Sequence, residues 1–207
     1  MSKPIPEVVA PDQINSPKKI RLFLAVNLPK GIKDSIEDCR RKFASRLDAG
    51  SVRWTRSEQL HITLKFIGYV TEDSATEITN AVAAACRGTG PLTLTAEALG
   101  CFPRVRSPRV LWVGISGDVE PLLLMQKRID SSTAQWAEPE KREFTPHLTL
   151  ARLKEPKPKE IRAIGQFIEA NKAARFGEWQ ARQVDLMQSV LSPNGATYRA
   201  IASIALT

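Results

Sequence analysis

The chain holds two histidines, and both sit in one repeated tetrapeptide: His61-Ile62-Thr63-Leu64 and His147-Leu148-Thr149-Leu150, 86 residues apart. A second pair of landmarks lies at nearly the same offset, since RLFLAVNLP from Arg21 superposes on RVLWVGISG from Arg109 with a shift of 88 residues. Two apolar strands resemble one another by composition, so that second pair alone carries little weight. The tetrapeptide carries more, because at ordinary composition a histidine is followed by an aliphatic, a threonine and a leucine only about once in a thousand times. Agreement of the two offsets points to an internal duplication. The fold must then hold two copies of one strand–helix–strand–helix–strand unit.

Hydrophobic periodicity supplies the units. Ile20–Leu28 is rich in branched and aromatic residues and is closed by Pro29, which reads as a strand. Ile32, Ile36, Cys39, Phe43 and Leu47 recur at spacings of three and four, giving a helix over 30–47 with Arg40, Arg41 and Lys42 on its outer face. Strands at 52–55 and 60–67, a helix at 72–86 and a strand at 92–99 complete the first half. The second half reads as strand 109–116, helix 119–137, strand 147–153, helix 161–172, and strands 184–191 and 198–206. This order predicts an α+β fold of two pseudo-symmetric lobes, each an antiparallel-rich sheet with outer helices, flanking a central cleft. Residues 1–19, with four prolines and no periodicity, read as a flexible N-terminal tail. Residues 20–207 read as one bilobal domain whose halves span about 20–100 and 108–207.

Strand alternation decides which way the repeated residues face. Leu60, Ile62, Leu64 and Phe66 share an apolar side expected to meet the core, so His61, Thr63 and Lys65 share the other. In the second copy Leu148 and Leu150 point inward, and His147 and Thr149 outward. A lone strand histidine is ordinarily structural or solvated; what favours chemistry is that the His–Thr pair is duplicated and no third histidine exists. With an unperturbed pKa of ~6.5, one imidazole can be neutral while the other is protonated, so two facing one cleft can act as general base and general acid. Cleaving a phosphodiester needs both, a proton taken from the nucleophile and one given to the leaving oxygen. Two threonine hydroxyls beside the rings can donate to the non-bridging oxygens. Neither histidine has a His, Cys or carboxylate at metal-ligand spacing, and there is no H-E-x-x-H or phosphate-binding glycine loop. No metal and no cofactor are therefore expected.

The 207 residues carry 30 Lys+Arg against 22 Asp+Glu, a formal charge of +8 that favours an anionic partner. No apolar run approaches the ~18–20 residues of a membrane span, and residues 1–19 lack the apolar stretch of a secretory signal. Cys39, Cys86 and Cys101 have no C-x-x-C spacing, which makes a reducing, cytoplasmic setting the expectation.

With these residues in view, the chain resembles the two-histidine phosphoesterases, which carry paired H-x-T-x motifs. Within them it is most similar to the bacterial and archaeal RNA 2′,3′-cyclic phosphodiesterases formerly called 2′-5′ RNA ligases. The resemblance runs from about residue 20 to 206, through RLFLAVNLP, RWTRSEQLHITLKFIG, FPRVRSPRVLWVGI, FTPHLTLARL and SVLSPNGATY. It implies metal-free hydrolysis of a 2′,3′-cyclic phosphate at an RNA end to a 2′-phosphate, with 2′-5′ ligation by the same catalytic pair. It further implies His61 as proton donor, His147 as the acceptor that activates water, Thr63 and Thr149 as phosphate ligands, and Arg152 as another substrate ligand. Strict alternation from Thr149 puts Ala151 in the cleft, so Arg152 reaches it only where the strand ends or bulges. Further candidate substrate contacts are Lys65, which has the right parity, Phe23 and Phe144 as base-stacking rings, and Arg109 in a basic loop with Arg104 and Arg106. Core packing of Phe23 and plain solvation of the basic residues are the competing readings.

The expected partner is an RNA with a 2′,3′-cyclic phosphate end, with no membrane. A monomer is expected, because the duplication already supplies both sides of the site. One alternative keeps the chemistry on small cyclic nucleotides or ADP-ribose cyclic phosphate; comparing an oligonucleotide with a mononucleotide separates it. Another is a non-catalytic RNA- or nucleotide-binding module, which a bell-shaped pH–rate profile excludes.

Overall fold

The computed structural model describes residues 18–193 and 195–207. The tail expected at 1–19 lies outside them except for its last two residues, and of these Lys19 already opens the first strand. The chain runs β1 (Lys19–Asn27), α1 (Lys30–Ala44), β2 (Val52–Trp54), a 3₁₀ turn at Ser57–Gln59, β3 (His61–Thr71), α2 (Ser74–Cys86) and β4 (Leu92–Phe102). It continues through β5 (Val110–Gly117), α3 (Val119–Ser132), β6 (His147–Leu153), α4 (Pro158–Ala170), β7 (Arg175–Ala181), β8 (Gln183–Ser192) and β9 (Gly195–Ala205). The fold is α+β. Periodicity missed β7 because its buried Phe176 and Trp179 stand three apart, with Gly177 at φ 145 breaking the alternation between them. Helix α3 stops short of Ala137, where the Thr133 hydroxyl donates back to the Ile129 carbonyl and the chain turns.

The strands form one antiparallel sheet in the order β7-β4-β5-β6-β3-β1-β8-β9, with β2 paired to β6. Read outward from the junction of β6 and β3, the two sides run β6-β5-β4-β7 and β3-β1-β8-β9. The sides of the sheet therefore do not coincide with the halves of the sequence: β4 sits beside β5, while β8 and β9 return to β1. Between the sides there is one register pair among the described residues, Ile62 with Leu148, and both side chains are fully buried. The helices cover one face of the sheet. Ile36 of α1, Ile78 of α2, Leu122 and Ile129 of α3 and Ile164 of α4 join Leu22, Leu24, Ile62 and Leu148 in a single core, each side chain contributing about 1.5–3 kcal/mol by leaving water. No helix of the described residues is long and apolar enough to cross a membrane. The opposite face of the sheet is left for the cleft.

Two matching irregularities shape that face. Along β1 and β3, Leu24 pairs with Lys65 and Ala25 with Thr63, so Leu64 is left over. Along β5 and β6, Leu111 pairs with Ala151 and Trp112 with Thr149, so Leu150 is left over. Each is a β-bulge one residue past the motif threonine, and an extra residue inverts the facing of the strand beyond it. Past the bulges Lys65 and Ala151 therefore turn to the core, and Phe66 and Arg152 to the cleft.

Arg152 thus meets the one condition under which alternation allows it into the site. Two expectations are corrected. Phe66, expected in the core, is 56% exposed, and Lys65, expected in the cleft, is 5% exposed behind it. There the Lys65 ammonium pairs with Asp130 of α3 and donates to the Glu138 carbonyl at 2.7 Å, and Gln126 of α3 donates to the Leu64 carbonyl at 3.2 Å. The same registers match Ala25 with Trp112, each opposite its motif threonine, an offset of 87 rather than 88; an even shift would set cleft-facing residues against core-facing ones.

Because Lys65 is a desolvated cation whose removal strands the Asp130 carboxylate, Lys65→Met is expected to cost ~3 kcal/mol. Urea unfolding, read as a lower midpoint at an unchanged slope, measures that loss.

Candidate active site

The buried Ile62–Leu148 pair sets the geometry of the cleft. Continued by one residue each way, its antiparallel register sets His61 against Thr149 and Thr63 against His147. Neighbouring strands lie ~4.8 Å apart and same-face residues ~6.5–7 Å apart along a strand, so the four side chains corner one small polar patch. His61, Thr63, Thr149 and Arg152 line an open cleft there, whose walls add Thr55, Gln59, Phe66 and, from strands far along the chain, Arg21, Ser189 and Tyr198. Two guanidiniums and no carboxylate stand in this lining, a composition suited to an anion rather than to a metal cation.

Both imidazoles are held in the same tautomer. The Nδ1 of His61 lies 2.7 Å from the Gln59 carbonyl, and the Nδ1 of His147 lies 2.7 Å from the Thr145 carbonyl, in each case two residues upstream. A carbonyl only accepts, so Nδ1 carries the proton in both rings and Nε2 is left with the lone pair that can take up a proton. The Nε2 atoms then differ. That of His61 accepts from the Thr63 hydroxyl at 2.9 Å, whereas that of His147 has no hydrogen-bond partner among the described residues.

Burial pushes His61 down to about 4 from its ordinary 6.5; the Gln59 carbonyl opposes that drop, and the charges of Lys33 and His147 add to it. Burial also lowers His147, opposed by the Thr145 carbonyl and reinforced by Arg152. Both rings are therefore neutral at neutral pH in the free protein.

Aromatic walls explain the desolvation. The ring of Phe23 is 4.9 Å from that of His61, and Tyr198 stands edge-on at 5.6 Å. On the other side Phe102 meets His147 edge-on at 5.0 Å. Behind His61, its cross-strand neighbour Asn27 donates at 2.7 Å to Asp185, a buried carboxylate that also accepts from Gln183 and Ser203. This ties β1, the strand paired with the one that carries the ring, to β8 and β9.

The structure brings His61, Thr63, Thr149 and Arg152 together in the cleft lining and sets His147 beside it, opposite Thr63 in register. Phe23 lies under them, but at 2% exposure it floors the cleft and offers no open face for a base. Phe144 does not reach the cleft: it packs on the core and lines a separate cavity with Leu123 and Asp130, because the segment before His147 crosses α3 there. Arg109 is exposed at the mouth of β5, outside the cleft lining, where its backbone bonds Phe102 and Leu153 at 2.7 and 2.8 Å. Arg104 and Arg106 are exposed in the same loop. Sequence reasoning missed Phe66, hidden by the bulge, and Phe102, Tyr198, Arg21 and Ser189, which only the strand order gathers. The Arg21 end of RLFLAVNLP and the tyrosine of SVLSPNGATY were the available signals.

A family model described as the 2′-5′ RNA ligase superfamily matches residues 28–191 of the chain. The RNA 2′,3′-cyclic phosphodiesterase of Methanocaldococcus jannaschii is 33% identical over 182 residues, covering 88% of this chain and 98% of that protein. The protein of the same name from Methanothermobacter thermautotrophicus is 32% identical over 180 residues, covering 87% and 95%. Among solved structures, TT0787 of Thermus thermophilus superposes with a TM-score of 0.72 at 24% identity, covering 90% of this chain and 98% of that one. E. coli LigT complexed with 3′-AMP does so with a TM-score of 0.70 at 23% identity, covering 92% and 99%. At these identities the structures speak for the fold.

Nitrogen-15 NMR of the two rings at pH 7 is expected to find both as neutral Nδ1–H tautomers, with His61 taking up its proton only near pH 4. Because its folded pKa lies below the unfolded value, the unfolded chain binds more protons between pH 6.5 and 4. Acid should therefore destabilise the protein across that window.

Proposed function

Since the chain belongs to the 2′-5′ RNA ligase superfamily, we propose that it hydrolyses 2′,3′-cyclic phosphate ends of RNA to 2′-phosphomonoesters by metal-independent, paired-histidine acid–base catalysis. The observation that carries this reading is the pair of imidazoles with fixed tautomers, Nε2 their available acid–base atom: His61 lines a cleft with two arginines and no carboxylate, and His147 stands beside that lining, opposite Thr63 in register. The names of the relatives from Methanocaldococcus jannaschii and Methanothermobacter thermautotrophicus support the substrate class.

The cyclic phosphate sits with its non-bridging oxygens on the Thr63 and Thr149 hydroxyls and the Arg152 guanidinium, donors aimed where negative charge grows. His147, neutral and with its Nε2 unoccupied, takes a proton from water as that water attacks phosphorus. His61 gives a proton from Nε2 to O3′ as the P–O3′ bond breaks, leaving a 2′-phosphate and a 3′-hydroxyl. The free protein holds His61 unprotonated, so this ring gains its proton as the anionic phosphate enters and offsets the desolvation. At that point the Thr63 hydroxyl turns from Nε2 to the phosphate. A 5′-hydroxyl of a second strand in place of water gives a 2′-5′ linkage with the same two proton transfers. The protein works on this reading as a monomer in the cytoplasm, residues 20–207 forming one bilobal catalytic unit derived from two copies, about 20–100 and 108–207.

His61→Ala and His147→Ala should each lower turnover of an oligonucleotide ending in a 2′,3′-cyclic phosphate by ~10²–10⁴, and a chelator should leave it unchanged. Near-normal hydrolysis by either variant would falsify the assignment. The active pair holds one proton and both free-state pKa values lie below 6.5, so the bell of kcat/KM against pH is expected to centre below 6.5. The bell of kcat should lie at higher pH, because bound phosphate favours the protonated rings.

A further inference from the structure

The cleft-facing line of β3 continues past Phe66. A second bulge comes next, since Phe23 pairs with Phe66 and Leu22 with Gly68, leaving Ile67 over. Ile67 is buried and facing inverts again, so Tyr69 is turned to the same side as Phe66 and His61 at 63% exposure. Without this bulge the face would pass through Gly68 and Val70, and no ring would stand there. Tyr69 has no ring contact or side-chain hydrogen bond among the described residues.

Strand pairing extends Tyr69 into a transverse row. Arg21 pairs with Tyr69 on one side and with Ser189 on the other, and Ser189 pairs with Tyr198. The Arg21 guanidinium donates to the Ser189 hydroxyl at 3.3 Å and has no carboxylate partner among the described residues. One step further out Lys19, also exposed, stands opposite Thr71, and the carboxylate nearest along β3, Glu72, is taken by Lys18 at 3.3 Å. Arg21 and Phe23 are two residues apart on β1, which separates this row from the Phe66 row by ~6.5–7 Å, comparable to one step of an unstacked nucleic-acid strand.

We propose that the row is a second nucleotide subsite, receiving the nucleotide immediately 5′ of the one that carries the cyclic phosphate. Its base lies on Tyr69 and its phosphate meets Arg21, with Lys19 beyond for the next phosphate; exposed rings beside unpaired cations are the means by which proteins hold single strands. The inference rests on the reading of the histidine cleft as a site for RNA ends. It favours an oligonucleotide as substrate, because Tyr69 and Lys19 lie outside the lining of the histidine cleft, in which Arg21, Ser189 and Tyr198 already stand, and a small cyclic nucleotide leaves them uncovered.

The test is a length series on the full chain. Binding of 2′-phosphate-ended mono-, di- and trinucleotides is measured by calorimetry, and kcat/KM is measured on the matching cyclic-phosphate compounds. The dinucleotide is expected to bind about tenfold tighter than the mononucleotide, a gain that Tyr69→Ala removes and Tyr69→Phe keeps. Arg21→Gln should flatten the dependence of log affinity on log salt by ~0.7 for the longer ligands, the value for one phosphate contact on a single strand. Equal affinity at every length, or a length gain retained by Tyr69→Ala, overturns the subsite even while cyclic ends are turned over. Absence of turnover at every length overturns the parent reading instead, and the binding series, which needs no catalysis, still decides the subsite.

Discussion

The cleft depends on one apolar contact, Ile62 against Leu148 at the junction of β3 and β6. Both side chains are fully buried, and in a strand the neighbours of an inward residue must point outward. Burying this pair therefore drives His61, Thr63, His147 and Thr149 together onto the open face. A slip of one residue would press imidazoles into an aliphatic core and expose the leucines, a cost of several kcal/mol. The rings have no attraction of their own to offer, since His147 when charged opposes charge on His61. The hydrophobic register makes the site.

Bulges then tune what that register presents. Leu64 and Leu150, at equivalent places in the two motif strands, each turn the next residue inward and the one after it outward. Equivalent positions have different uses: Lys65 ties β3 to α3 where Ala151 only packs, and Phe66 offers a ring where Arg152 offers a cation. The repeated backbone supplies two pairs of like residues at the centre and unlike residues around them. One substrate can thus be held asymmetrically in a pseudo-symmetric frame.

Electrostatics and burial pull against each other at the centre. Aromatic neighbours desolvate both imidazoles and keep them neutral, while Arg21 and Arg152 leave the cleft positive with no carboxylate in its lining to absorb an entering anion. The free cleft is consequently short of a negative charge and of the proton that such a charge would retain on a histidine. An entering anion can supply the first and thereby stabilise the second, which couples occupancy of the cleft to the protonation of its imidazoles.

The repeated tetrapeptide, the strand–helix order and the choice of His61, His147, Thr63 and Thr149 were legible from the chain, because period-two facing and periodic apolar stripes are local properties. Arg152 was legible only as a condition, since a bulge is invisible to alternation. For the same reason the cleft-facing role of Phe66 was missed and Lys65 was put on the wrong side. Phe144 and Arg109 were misplaced because closeness in sequence to a motif does not survive a change of direction at a strand mouth. Sequence alone determined which donors, acceptors and titratable groups the chain offers, since residue identity sets them. Tertiary structure decided which residues surround those groups: the pairing of β8 and β9 back onto β1, which brings Tyr198 and Ser189 beside Arg21 and His61, is a long-range choice made by the shared core.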